Sequence, residues 1–328
     1  MIRPIHVMAT LICGCIFLIA LSMTSVACGS GSQAYILSVG GLIYVYDAGT
    51  NNVTTTFQVT IPGELGPSLQ DITVNHAGTT AYATELNNVI VIDTRTNKQT
   101  AVIPVAAFSF KAVVNPSDTR VYVVGSNVSV IDTATNKMTT TIPISGNGIA
   151  INRKGDRVYV TGGNISVIDT ATNKVTTTIP VSGDDVAVDP TGTKLYVTHG
   201  GDVYVVSTLT NKVIAKIPIG LETTKVAVNP EGTRAYVLDL PQDPMHFPGN
   251  LSVIDTKTNK VIAKLTMGPM PNDISLNPTG TKAYVTILSS GGFGASSVAI
   301  IDTKTNQKVG GSGGFSLVNG ISPFFTPR

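Results

Sequence analysis

Asp169-Thr-Ala-Thr-Asn173 closes a run of alternating apolar residues, and variants of this five-residue phrase start at Asp47, Asp93, Asp132, Asp169, Ser207, Asp255 and Asp302. The seven starts lie 46, 39, 37, 38, 48 and 47 positions apart. A period of about forty residues fits one blade of a β-propeller and is much too long for a β-helix coil.

Within one period the pattern alternates in four short runs bounded by turn residues, as expected for a four-stranded antiparallel sheet. In residues 184 to 219, Asp185-Val-Ala-Val-Asp189 reads as a first strand and Lys194-Leu-Tyr-Val-Thr198 as a second. Asp202-Val-Tyr-Val-Val206 and Lys212-Val-Ile-Ala-Lys-Ile-Pro218 supply the third and fourth. Asn75, Asn115, Asn152, Asp189, Asn229 and Asn277 each end a first strand, where a short polar side chain caps the following turn. Tyr35, Tyr82, Tyr122, Tyr159, Tyr196, Tyr236 and Tyr284 share one place in the second strand and are expected to pack between blades, each hydroxyl with a partner. The mostly small residues Thr73, Val113, Ala150, Ala187, Ala227 and Ser275 suit the crowded axis of a ring.

The expected fold is therefore all-β, a seven-bladed propeller of four-stranded antiparallel blades. Closure comes from the ends. The domain begins with a second strand, Ala34-Tyr-Ile-Leu-Ser38, and Asn319 to Phe325 falls where a first strand belongs. The N- and C-terminal strands would share one blade. Gly310-Gly-Ser-Gly-Gly314 and Pro323 predict that closure is less regular than the rest.

Residues 1–27 read as a signal peptide: Arg3 precedes an apolar run from Ala9 to Leu21, and Ser25-Val26-Ala27 precede Cys28. Residues 28–33 read as a tether, and 34–328 as a single propeller domain. Without Arg3 the mature chain carries 21 basic and 20 acidic residues, so no nucleic-acid partner is expected. Cys13 and Cys15 lie inside the apolar run, which leaves Cys28 as the one mature cysteine and removes disulfides and thiolate metal sites. The segment resembles a bacterial lipoprotein signal, which implies lipidation of Cys28 and membrane attachment through that anchor alone. Ser-x-Ala also suits ordinary cleavage, leaving a secreted or periplasmic soluble protein as the alternative.

Tyr159-Val-Thr-Gly162, Tyr196-Val-Thr-His199 and Tyr284-Val-Thr-Ile287, each with a following Val-Ile-Asp-Thr-like strand and Thr-Asn-Lys-like turn, resemble the YVTN β-propeller repeat family. The resemblance spans residues 34 to 325. It implies the fold and an extracytoplasmic setting, as in YncE-like and surface-layer proteins, and implies no reaction. A WD-type propeller is disfavoured, since the chain has no Trp.

Function should lie where repeats disagree. The loops joining first to second and third to fourth strands are nearly uniform and define a plain face. The opposite face carries insertions at Asp239 to Asn250 and Ile287 to Ser296. Asp184, Asp185, His199, Asp202, Glu222, Asp239, Asp243 and His246 fall on loops or strand ends of two adjacent blades there. Phe247, in Pro244-Met-His-Phe-Pro248, adds a rigid apolar contact.

Two readings follow. The favoured one is a non-enzymatic scaffold, monomeric and without a required cofactor, that binds another envelope protein or a surface polymer. The alternative is a metal-assisted hydrolase or lyase in which His199, Asp239 and His246 hold a divalent cation. P-loop, Gly-x-Ser-x-Gly and His-Glu-x-x-His motifs are missing.

Overall fold

A computed structural model describes residues 32–47, 49–50, 52–64, 66–106, 108–241, 248–288, 296–315 and 318–325. These form seven four-stranded antiparallel sheets. Contacts between successive inner strands run around the whole set and return to the first, so the sheets form a closed ring. The chain is a seven-bladed β-propeller. Blade five shows the plan: inner strand Asp185–Val188, second Lys194–His199, third Asp202–Ser207, outer Lys212–Pro218.

Blade one is assembled from both ends of the domain. Its second, third and outer strands are Ser32–Ser38, Leu42–Asp47 and Asn52–Gln58, and its inner strand is Val318–Phe325. Tyr35 stands opposite Ser322, as Tyr196 stands opposite Ala187 and Tyr284 opposite Ser275. Small inner residues facing a tyrosine thus continue through the closure. The expected irregularity of this blade is not found. Its inner pairing carries one register shift, and blades two, six and seven carry the same kind. Pro323 is tolerated because it lies on the sheet's inner edge, where only one side needs a ladder. The glycine run falls instead in blade seven's outer strand, Gln307–Phe315, whose pairing shifts twice.

The repeated phrase has a mechanical role. In Asp169-Thr-Ala-Thr-Asn173 the Asp169 carboxylate accepts bonds from the Thr172 amide at 3.0 Å and hydroxyl at 2.9 Å. Those bonds hold Asp169 below the usual carboxylate range. Asn173 then takes the left-handed conformation, φ 53°, and a bulge follows between third and outer strands. This is a hairpin turn whose twist requires a positive φ at one position, which Asn supplies at lower cost than other side chains. All seven blades carry the bulge.

The same asparagines clasp neighbouring blades. The Tyr35 hydroxyl donates to Asn97 at 2.5 Å and Tyr122 to Asn173 at 3.3 Å. Further round the ring the expectation of a partner for every hydroxyl fails. The Tyr284 hydroxyl and the Asn259 and Asn306 side-chain oxygens are buried without a hydrogen-bond partner among the described residues, and the Tyr196 and Tyr236 hydroxyls have only loosely aligned threonines, Thr256 and Thr303, beside them. Burial pushes both tyrosines up to about 12, with Thr256 and Thr303 nearby acting the other way.

Candidate functional site

Each inner strand enters the channel from the variable face, and the residue four places before the strand-ending Asn or Asp stands at that mouth. Round the ring these are Asp71, Lys111, Gly148, Asp185, Lys225 and Asp273, with Gly320 in blade one. Each aspartate reaches sideways to the next blade. Asp71 accepts from the Ala112 amide at 3.1 Å, Asp185 from Val226 at 3.2 Å, and Asp273 from Ile321 at 3.1 Å. Their own amides donate to threonines of the second strand, Thr84, Thr198 and Thr286, at 3.0–3.1 Å. The last sideways bond spans the closure between blades seven and one.

Lys111 crosses from blade three to blade five and binds Asp185 at 2.7 Å. The intervening blade presents Gly148, where a Cβ would stand 2.7 Å from the Asp185 Cα. A bare position there is what lets the pair close. Burial would lower the Lys111 ammonium, but Asp185, Asp71 and Asp273 outweigh it and hold it above the ordinary lysine value. Burial, then the charge of Asp273, pushes Asp71 up to about 6 against the pull of Lys111. Asp273 is also raised, by burial, with Lys225 and Lys111 opposing. Inside, a cavity of about 350 Å³ extends past Ala150 and Ala227 to His76.

Outside the mouth, the loops of blades three, four and five surround a shallow depression of about 490 Å³. Phe110 lies on one side, Asp184 and His199 on the other, and Asn147, Gly162 and Gly163 between. His199 Nδ1 is 3.5 Å from Asp184, with both side chains about half exposed. Phe110 belongs to an inverted strap. Ser109, 1% exposed, donates its hydroxyl to the Glu85 carbonyl and its amide to the Leu86 carbonyl at 2.8 Å. The flanking Phe108 and Phe110 are 57% and 41% exposed. Phe108 has φ 59°, a costly conformation for a bulky residue, and its carbonyl occupies the place a Cβ on Gly125 would need.

The residues expected at one site are dispersed. Asp185 turns into the channel, away from Asp184 and His199. Asp202 pairs with Lys216 at 2.9 Å, and Lys216 lies 5.5 Å from the Tyr204 ring centre. Glu222 is exposed at the start of blade six's inner strand. Asp239 is buried, 3.4 Å from Lys264 and 3.2 Å from the Asn250 side-chain nitrogen, and its Oδ1 has no hydrogen-bond partner among the described residues. Asp243, His246 and Phe247, the whole 242–247 stretch and residues 289–295 lie outside the described residues, as does Cys28. Among the described residues no three His, Cys, Asp or Glu side chains group to hold a metal.

The plain face is less uniform than expected. Where five other blades have Gly, blade three has Asp118, at φ 56°. Its carboxylate accepts the His76 amide at 2.8 Å and the Ala77 amide at 2.9 Å and lies 3.0 Å from His76 Nδ1. Other interfaces put a glycine against a proline here, as Gly232 against Pro190. Exchange of both partners at one interface was visible in the repeats as His76 and Asp118.

No protein-family model matches the chain, and no curated protein matches it. Solved structures do resemble it. A protein of unknown function from Desulfotomaculum acetoxidans superposes with a TM-score of 0.72 at 15% identity, over 90% of this chain and 99% of that one. Hydrazine synthase of Kuenenia stuttgartiensis gives 0.63 at 21% identity, covering 75% and 81%. The dihydro-heme d1 dehydrogenase NirN gives 0.64 at 11% identity, covering 89% and 75%. At these identities the likeness is one of fold, that of a β-propeller, and function must come from the site.

Proposed function

We propose that this chain is an exported, lipid-anchored envelope propeller of the YVTN-repeat type, acting as a non-enzymatic binding scaffold through its variable face. The observation that carries the reading is the inverted strap. Burying a serine and exposing two phenylalanines, one in a strained conformation, opposes folding stability and makes sense as a contact surface. Leu86 and Leu221, on the loops of the same face, extend the exposed apolar area. The partner is another envelope protein or a surface polymer.

The metal-assisted hydrolase or lyase has less support. Asp185 and Asp239 each face a lysine, which leaves Asp184 and His199 as the paired candidates among the described residues.

A photocrosslinking residue at Leu86, compared with one at Lys154 on the plain face, tests the scaffold in intact cells. One dominant adduct from position 86 and none from 154 is expected; equal labelling from both would refute the assignment of the face. Cys28→Ser should move the protein from the membrane to the soluble fraction. Retention on the membrane would remove the lipid anchor.

A further inference from the structure

We propose that the depression between blades three, four and five is a subsite for an uncharged pyranose glycan, with Phe110 as its stacking platform. The inference rests on the variable face being the binding face and names the chemistry of one ligand there. At about 490 Å³ the depression falls within the size range of small-molecule sites.

Its lining selects the ligand class. Phe110 lines the depression and is 41% exposed, and an aromatic ring suits the apolar C–H face of a sugar ring. Asn147, Ser126, Ser145 and Ser182 offer amide and hydroxyl groups for ring hydroxyls, Asp184 offers acceptor oxygens, and His199 offers the ring nitrogen not turned to Asp184. Among the described residues no lysine or arginine lines it, so an anionic polymer would bring its charge against Asp184 without compensation. A purely apolar partner would strand the serines and the asparagine.

The glycines separate what packing demands from what it does not. Gly146 and Gly183 are forced, since a Cβ on Gly146 would stand 2.5 Å from the Thr161 carbonyl and one on Gly183 would press into Val197. Gly163 is not. Its φ is ordinary, a Cβ there would meet nothing within 4 Å, and it lines the depression. The open space over Gly163 is therefore free for a ligand, and filling it leaves the fold undisturbed.

Titration calorimetry of the full propeller with chitotetraose, cellotetraose and tetragalacturonate decides the matter, with Gly163→Val, Phe110→Ala and Leu209→Ala as variants. At least one uncharged oligosaccharide should bind, Gly163→Val should weaken it roughly tenfold or more at unchanged melting temperature, and Phe110→Ala roughly fivefold. Leu209→Ala, an exposed leucine on the plain face, should change nothing. Saturation by neither neutral sugar at about 10 mM, full binding by Gly163→Val, or preference for tetragalacturonate would each overturn the subsite. The two readings fail separately. If the Leu86 crosslink persists while no sugar binds, the scaffold stands and the glycan falls.

Discussion

Replacing Lys111 by Met probes what the charged ring at the channel mouth contributes. The wild-type ring carries three carboxylates and two ammonium groups, with Lys111 bonded to Asp185 at 2.7 Å and drawn also by Asp71 and Asp273. Met fills similar volume but leaves three carboxylates facing one ammonium. Removing one member of a buried pair typically costs about 3–5 kcal/mol. Lys111 keeps 22% of its side chain exposed, so channel water softens the loss toward about 3 kcal/mol. At roughly 2–4 °C per kcal/mol for a domain of this size, the melting temperature should fall by about 6–12 °C. The deficit must also depend on pH. Without Lys111 the carboxylates are raised further, so the folded variant holds more protons and regains stability, relative to wild type, as pH falls from 8 to 5. Denaturant melts of both proteins at pH 8 and pH 5 measure this. A deficit of equal size at both pH values would assign the loss to packing and refute the electrostatic account, as would no deficit at either.

Asp71→Asn should act in the opposite direction. An amide oxygen still accepts the Ala112 amide, and Asp71 is held up at about 6 against an ordinary 3.8, so in wild type its contribution to stability declines as pH rises between about 4 and 6. The variant should lack that decline and be more stable at pH 8 by about 1–3 kcal/mol, read as the difference between paired denaturant melts; a less stable variant at pH 8 would contradict it. At the turn of blade five, Asn211 has φ 56°, so Asn211→Ala should cost about 1 kcal/mol and Asn211→Gly a few tenths. Equal losses in thermal melts would show that backbone conformation is not what the asparagine provides.

Much of this fold was legible because each blade repeats the same local solution. The Asp-Thr-x-Thr-Asn turn, the tyrosine facing a small inner residue, and the completion of blade one by residues 318–325 all follow from matching positions at a fixed period. The channel ring was overlooked for the same reason. Reading along the chain placed Asp185 beside Asp184 and His199, whereas alternation in a strand sends neighbours to opposite sides, and its partner Lys111 is 74 residues away. The signal was nonetheless present, as Asp71, Lys111, Asp185, Lys225 and Asp273 at one repeat position. The long loops of blades six and seven also point to a site shared by blades five and six, where Asp184 to Phe247 lie. The described concavity lies on blades three to five, where the loops are short and the informative residues are an exposed strap and an unneeded glycine.

The blade built from both ends of the domain sets the order of events during biogenesis. Asp273 can bond the Ile321 amide, and Tyr35 can meet Ser322, only once the chain has been made as far as residue 322. Six complete blades can form before that moment, but the ring stays open, with the first blade's second strand exposing an unpaired edge and Ile36 uncovered. A nascent chain thus remains unsealed until its last strand has been made, so that the end of synthesis and the final locking of the ring are coupled by topology.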